Sequence, residues 1–172
     1  MTGRVIVIGV GNEYRRDDAL GPTVVERLRN RRLRGVELAE CDGEASRLIE
    51  LWEGADLAVV VDAVHAHRAQ PGRVHRLSAH HPAATPAGAA STHGVDLGEG
   101  VALARALHRM PARLLLYAVE VADTGFGMGL TPAVAAAAER VADEIAKVVN
   151  AATQLWLVNT ALDRPVAAAL PG

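Results

Sequence analysis

Hydrophobic residues follow two different spacings along the chain, and each predicts a kind of secondary structure. Continuous apolar runs predict strands, whereas apolar positions three or four residues apart predict helices. The predicted strands cover residues 4–10, 36–41, 57–61 and 114–121, with an edge strand over 73–77, where the side chains alternate in character. The predicted helices cover residues 23–30, 45–52 and 97–110, and a final helix opens at Thr131-Pro132.

The order of these elements predicts the fold class. Strands alternate with helices, which is typical of an α/β fold in which helices cover both faces of a parallel sheet. We therefore expect a three-layer α/β/α domain with a mostly parallel twisted sheet of about five strands. This domain is predicted to span residues 1–153, and residues 154–172 are predicted to form a C-terminal tail.

Composition and charge limit the classes of partner. The chain has 172 residues, half of them apolar, and 18 basic against 20 acidic side chains give a net charge of -2. Such a balance gives no reason to expect a nucleic acid or a membrane surface as partner. The single Cys41 excludes an internal disulfide. No apolar run approaches membrane-spanning length, so we expect a cytoplasmic protein.

The stretch from Val5 to Gly21, which reads VIVIGVGNEYRRDDALG, resembles a glycine-rich nucleotide cradle at first sight. Gly9 and Gly11 fit a dinucleotide motif, but Tyr14 stands where the third glycine belongs. The following helix also opens with two aspartates, which would repel a pyrophosphate. An acidic site is therefore favoured, and a dinucleotide-binding module is the less favoured alternative.

Three side chains of this sequence are expected to meet at one edge of the sheet. Asp18 follows the first strand, Asp62 ends the third, and His93 follows a long loop near the start of a helix. Ligands of such folds bind beyond the carboxyl ends of strands, where the strand order reverses. Two carboxylates and one imidazole suit a divalent cation. His65 and His67 lie close enough to Asp62 to compete with His93 as ligands.

The acidic residues also have simpler interpretations. An aspartate at a helix start is often an N-cap, and this alternative applies to Asp17 and Asp18. Asp62 is harder to explain structurally, because an acid that ends a buried strand is costly unless it is paired or functional. Asn12 and Asp17 are candidate substrate-binding residues, since both stand beside the acidic site in sequence.

Three sequence blocks together resemble the hydrogenase maturation protease family: VIGVGNEYRRDDALG, VVVDAV around Asp62 and STHGVDL around His93. The turn at Pro71 and the GLTP segment at 129–132 agree with the same family. The resemblance implies an endopeptidase that trims the C-terminus of the nickel-iron hydrogenase large-subunit precursor, which would be its partner. It further implies that Asp18, Asp62 and His93 bind nickel contributed by, or shared with, the precursor.

The resemblance implies hydrolysis of one peptide bond after nickel insertion, with Asp18 and Asp62 as catalytic residues. Either carboxylate can orient a water molecule as general base, or nickel can lower the pKa of a bound water toward ~7. The sequence leaves both routes open. A non-catalytic, nickel-dependent checkpoint or adaptor that binds the precursor without cutting it uses the same residues and is the main functional alternative.

One segment departs from the family pattern. Members often carry a Gly-Gly-Thr or similar turn after the second strand, where this chain has DGEAS at 42–46. The family turn is associated with selectivity for the cognate hydrogenase. We therefore expect Glu44 and Ala45 to mark a different subgroup or an altered substrate preference.

Overall fold

A computed structural model describes residues 3–78, 89–91 and 97–162 of the chain. The strands are β1 (Val5–Val10), β2 (Val36–Cys41), β3 (Leu57–Ala66), β4 (Val74–Ser78), β5 (Ala89–Ser91) and β6 (Leu114–Glu120). The helices are α1 (Leu20–Asn30), α2 (Ala45–Trp52), α3 (Leu97–Ala106) and α4 (Pro132–Leu162), and a short 3-10 turn, Arg16–Ala19, precedes α1.

One sheet organises the domain, with the strand order β2-β1-β3-β6-β4 and the short β5 paired to β3. Strands β2, β1, β3 and β6 are parallel to one another, whereas β4 is antiparallel to β6 and β5 is antiparallel to β3. The predicted α/β fold with a mostly parallel sheet is confirmed. Because β2 lies on one side of β1 and β3 on the other, the strand order reverses between β1 and β3, where ligand sites of such folds form.

Two apolar clusters bury the two faces of the sheet. Successive strand residues point to opposite faces, so alternate residues of β3 enter different clusters. Val59 packs in the cluster that includes Val24 of α1 and Ile145 of α4. Val60 packs in the cluster that includes Trp52 of α2, together with residues of α3. The predicted three-layer arrangement is therefore confirmed.

Strand β3 is longer than its apolar run predicts. The prediction that Asp62 ends this strand is wrong, because Asp62, Ala63 and Val64 continue in parallel register with β6. Asp62 is instead an interior residue of a strand that reaches Ala66. Backbone pairing with β6 continues the strand beyond the apolar run. As a result, Asp62 becomes part of the sheet.

Helix α4 crosses the predicted domain boundary. It runs from Pro132 to Leu162 without interruption, so residues 154–162 continue a helix rather than starting a separate segment. The division into a domain over 1–153 and a tail over 154–172 stays a prediction. In the described parts of the chain, no helix combines the length and the apolar character that a membrane span requires.

Candidate functional site

The candidate site lies at the carboxyl end of β1, beside Asp62 in the neighbouring strand β3. These strands are adjacent, and Gly9 of β1 is in register with Val61 of β3, which places Asp62 level with the end of β1. The Asp62 side chain is almost fully buried. Its neighbours Ala58 and Val60 belong to the cluster beneath α2 and α3, so by alternation Asp62 points to the same face.

Glycines allow the chain to turn tightly from β1 into the acidic segment. Gly11 has a φ of +151°, and a Cβ at this position would lie 1.9 Å from the carbonyl oxygen of Asp18. A Cβ on Gly9 would lie 2.3 Å from the carbonyl oxygen of Gly21. The space beside these glycines is filled by the chain's own backbone, so they serve chain packing rather than the close approach of a phosphate.

Asp18 is buried on the 3-10 turn, which packs against β3. One oxygen of its carboxylate, Oδ2, accepts a hydrogen bond of 3.2 Å from the backbone N–H of Asn12. The side chain of Asn12 in turn accepts a hydrogen bond of 2.9 Å from the N–H of Tyr14. Asn12 itself is exposed. The turn after β1 is therefore built around the Asp18 carboxylate.

The carboxylate of Asp17 has a different environment from that of Asp18. It is fully buried and accepts four hydrogen bonds, from the N–H groups of Ala122, Asp123 and Thr131 and from the Thr131 hydroxyl, at 2.7 to 3.2 Å. All four donors belong to the segment between β6 and α4. Asp17 thereby joins the start of α1 to the start of α4.

The helix-capping interpretation of Asp17 and Asp18 is wrong. Arg15 and Ala19 are the N-cap residues of the 3-10 turn and of α1, and neither helix start has a side-chain cap hydrogen bond. The two aspartates lie inside the 3-10 turn instead. Sequence reasoning missed the long-range role of Asp17, because its donors are more than 100 residues away in the chain.

A fourth buried acid, Glu120, lies at the end of β6. Its carboxylate accepts hydrogen bonds from the N–H of Gln70 at 2.6 Å and from His75 Nε2 at 2.8 Å. The Gln70 N–H and then His75 hold the pKa of Glu120 below its ordinary value. Sequence reasoning did not single out Glu120, since nothing in the apolar run of β6 indicates that its last residue turns inward. Its contacts indicate a structural role.

The histidines are not all described. His93 lies outside the described residues, so the three-ligand metal site stays a prediction. His65 and His67 are exposed, and His65 Nε2 lies 3.2 Å from the hydroxyl of Thr124. By alternation along β3, His65 points away from the face that Asp62 occupies, whereas His67 lies just beyond the end of this strand. Within residues 3–78, 89–91 and 97–162, no three His, Cys, Asp or Glu side chains are grouped so as to bind a metal.

The DGEAS segment borders the same end of the sheet. The N–H of Gly11 donates to the carbonyl of Cys41, which connects the turn after β1 to the end of β2. Glu44 is the N-cap of α2, and its side chain accepts a hydrogen bond of 3.3 Å from the N–H of Ser46. Cys41 is buried, and burial raises the pKa of its thiol. Cys41 is therefore a poor nucleophile. Glu44 has a structural role as the N-cap of α2.

Comparison with known proteins identifies the family to which this chain is similar. The family model described as HycI, hydrogenase maturation protease, matches residues 22–148, a range that contains Asp62 and His93. The hydrogenase 2 maturation protease of Escherichia coli (strain K12) is 27% identical over 144 residues, covering 83% of this chain and 88% of that protein.

Solved structures show the same fold. The hydrogenase maturating endopeptidase HybD from E. coli has a TM-score of 0.65 and 26% identity, covering 83% of this chain and 89% of that one. The [NiFe] hydrogenase maturation protease HybD from Thermococcus kodakarensis has a TM-score of 0.68 and 24% identity, covering 84% and 98%. Since the family model matches well over half of its length, this chain belongs to the hydrogenase maturation protease family.

Proposed function

We propose that this chain is an endopeptidase that removes the C-terminal extension of a nickel-loaded nickel-iron hydrogenase large-subunit precursor. The observation that carries the proposal is the burial of two carboxylates, that of Asp18 on the turn after β1 and that of Asp62 in β3 beside the end of β1. Buried carboxylates are unfavourable unless they are hydrogen-bonded, paired or used in binding. Their position at the strand-order reversal is the usual ligand position of this fold class.

We assign Asp18, Asp62 and His93 as the ligands that hold the precursor's nickel, which is part of the substrate. Two carboxylates and an imidazole suit a first-row divalent ion and leave positions for groups of the precursor. The described residues on both sides of His93 support its inclusion. Ser91 pairs with Val64, two residues from Asp62, and α3, which starts at Leu97, packs on the face to which Asp62 points.

We assign the proton transfers of hydrolysis to a carboxylate of this chain. Asp62 or Asp18 orients a water molecule and accepts its proton as the water oxygen attacks the scissile carbonyl carbon, and the same proton then passes to the leaving amide nitrogen. Burial strengthens the electrostatic interactions of this carboxylate, because the surrounding dielectric constant is low. When bound, nickel supplies Lewis acidity that lowers the pKa of a coordinated water toward ~7.

Asn12 and Asp17 serve this site in different ways. Asn12 is exposed and its backbone binds Asp18, so we assign its side chain to contact with the precursor. The Asp17 carboxylate is fully buried among four donors, and we assign it an indirect role in which it holds the turn that presents Asp18. The departure at DGEAS lies at the same sheet end, and we propose that it influences which precursor is accepted.

The mass of the precursor tests this function directly. Purified precursor is incubated with this protein, with and without nickel loading, and the intact mass is measured. We expect loss of a C-terminal peptide from the nickel-loaded form alone. An unchanged mass combined with nickel-dependent binding would indicate a non-catalytic checkpoint or adaptor instead. Cleavage of the nickel-free form would contradict the role of nickel.

A further inference from the structure

Exposed apolar side chains collect beside the candidate site. Tyr14, Phe126 and Met128 are 61%, 90% and 72% exposed. The other large exposed apolar residues of the described chain are Leu103 on α3, Leu107 just after α3, and Leu155, Leu157 and Val158 on α4. Tyr14 and the Phe126–Met128 segment belong to two different parts of the sequence, so their proximity is a property of the fold. We call the three side chains the docking patch.

Backbone hydrogen bonds hold the docking patch in place. The N–H of Gly127 donates to the carbonyl of Tyr14, and the N–H of Arg16 donates to the carbonyl of Gly127. The Asp17 carboxylate binds the same segment at Ala122 and Asp123. Because the backbone is fixed on both sides, these apolar side chains are presented to solvent in a set arrangement, which benefits binding rather than folding.

The docking patch is continuous with the candidate site. Two hydrogen bonds lead from Tyr14 to Asp18: the Tyr14 N–H donates to the Asn12 side chain, and the Asn12 N–H donates to the Asp18 carboxylate. A peptide that reaches Asp18 with its scissile bond therefore has neighbouring residues within reach of Tyr14 and the Phe126–Met128 segment.

A positive charge accompanies the apolar side chains. The guanidinium of Arg15 lies 5.9 Å from the centre of the Phe126 ring, and its Nε donates to the carbonyl of Thr124 at 3.2 Å. Arg16 pairs with Asp123 at 3.4 Å, whereas Arg15 has no carboxylate partner among the described residues. The docking patch offers apolar contacts, and Arg15 beside it offers a positive charge. Together they complement a peptide that has an apolar side chain near a carboxylate.

We propose that the docking patch binds the part of the precursor next to the scissile bond, through an apolar side chain on Phe126 and Met128 and a carboxylate on Arg15. This proposal rests on the proposed function and names the surface that selects the peptide. A second copy of this chain is a poorer occupant, because a stable dimer needs about 800 Å² from each partner, more than three side chains provide.

The test compares two double variants in the release of the peptide from nickel-loaded precursor. Phe126→Ser/Met128→Ser alters the patch, and Leu155→Ser/Leu157→Ser is a matched control on exposed apolar residues of α4. We expect the patch variant to raise KM at least about 10-fold, because apolar side chains that become buried on binding contribute most of the affinity of such contacts. We expect kcat to change less than about twofold. The control should leave both constants unchanged. Equal KM values for patch variant and wild type would overturn the proposal.

Arg15→Gln tests the positive charge beside the docking patch. We expect a higher KM and a weaker dependence of KM on salt, because the lost contact is an exposed ion pair. Thermal unfolding of each variant verifies the fold. An unchanged KM with an unchanged salt dependence would remove Arg15 from the proposal.

Separate outcomes distinguish failure of docking from failure of the proposed function. If the wild type releases no peptide, the proposed function fails, and the dissociation constant for the precursor then decides on docking. Weaker binding by the patch variant alone would still support the surface, whereas equal or absent binding would overturn it. Sedimentation of the protein alone completes the set: a wild-type dimer that the patch variant converts to monomer would assign the surface to a second copy and contradict the proposal.

Discussion

The two ends of the sheet differ in whether their charged side chains are exposed or buried. At the amino end, charged groups remain at the surface in pairs such as Arg4–Glu37 at 2.8 Å and Arg109–Glu53 at 2.6 Å. At the carboxyl end, the chain buries carboxylates instead. All four buried acids of the described residues lie there: Asp17, Asp18, Asp62 and Glu120.

This difference separates stability from function within one domain. Exposed ion pairs contribute little to folding, so the amino end is stabilised mainly by its apolar contacts. Burying a carboxylate is unfavourable unless donors surround it. Asp17 and Glu120 accept hydrogen bonds that fasten loops, and Asp18, which accepts one from the Asn12 N–H, lies with Asp62 at the strand-order reversal. The carboxyl end therefore combines two structural acids with two acids that we assign to the chemistry.

We expect Asp18→Asn to lose nearly all cleavage. The amide keeps an acceptor oxygen for the Asn12 N–H but loses the charge that nickel binding or general-base action needs. We expect peptide release to fall by at least about 1000-fold with little change in thermal unfolding. His93→Gln should behave in the same way. A folded Asp18→Asn variant that cleaves at the wild-type rate would return Asp18 to a structural role.

Gly11→Ala tests how tightly the carboxyl end is packed. The new Cβ would meet the carbonyl oxygen of Asp18 at 1.9 Å, with φ at +151°, so we expect a loss of about 3 kcal/mol in the free energy of unfolding. Gly54→Ala is the matched control at the amino end. It has a φ of +72° and open space around it, which predicts a loss of only about 1 kcal/mol. Urea unfolding measures both, and equal losses would refute the packing difference.

Asp17→Asn sharpens the contrast between neighbouring acids. One carboxylate oxygen becomes an NH₂ group facing N–H donors of the segment between β6 and α4, so hydrogen bonds are lost. We expect the free energy of unfolding to fall by about 2 kcal/mol. Retained cleavage at low temperature, where the variant is folded, would separate this effect from that of Asp18→Asn. Unchanged stability would show that the loop does not depend on this carboxylate.

The smallest effect concerns acid stability at Glu120. Its pKa in the folded protein is lowered, so its contribution to stability is present above the ordinary pKa of about 4.3 and is lost as the pH falls through the lower folded value. We expect Glu120→Gln to flatten the decline in melting temperature below about pH 4. The two curves would run parallel in this range if Glu120 had an ordinary pKa in the folded state.

Most of the fold followed from the spacing of apolar residues, because that spacing reflects burial. β2 and α2 have the predicted bounds, and the edge position of β4 is confirmed. The apolar pattern failed to predict the end of a strand where backbone pairing continues the strand beyond its apolar run. β3 continues through Asp62 because β6 pairs with it, and this pairing is not visible in the local sequence.

The site was predictable only in part. Position after an apolar run indicated that Asp18 and Asp62 lie near one edge of the sheet, although Asp62 lies within β3 rather than after it. The four donors to Asp17 and the partners of Glu120 were not predictable, because they come from segments far away in the chain. The docking patch was missed for the same reason, as Tyr14 and Phe126 are neighbours only in the folded chain.

The activity of Asp62→Asn decides whether the buried acids at the carboxyl end of the sheet take part in catalysis. Peptide release from nickel-loaded precursor and thermal unfolding are measured for this variant and the wild type. Asparagine matches the size of aspartate and removes its charge, so we predict no detectable peptide release by a variant that still unfolds cooperatively near the wild-type temperature. Cleavage at the wild-type rate by the folded variant would contradict the assignment of the buried acids at the carboxyl end to catalysis.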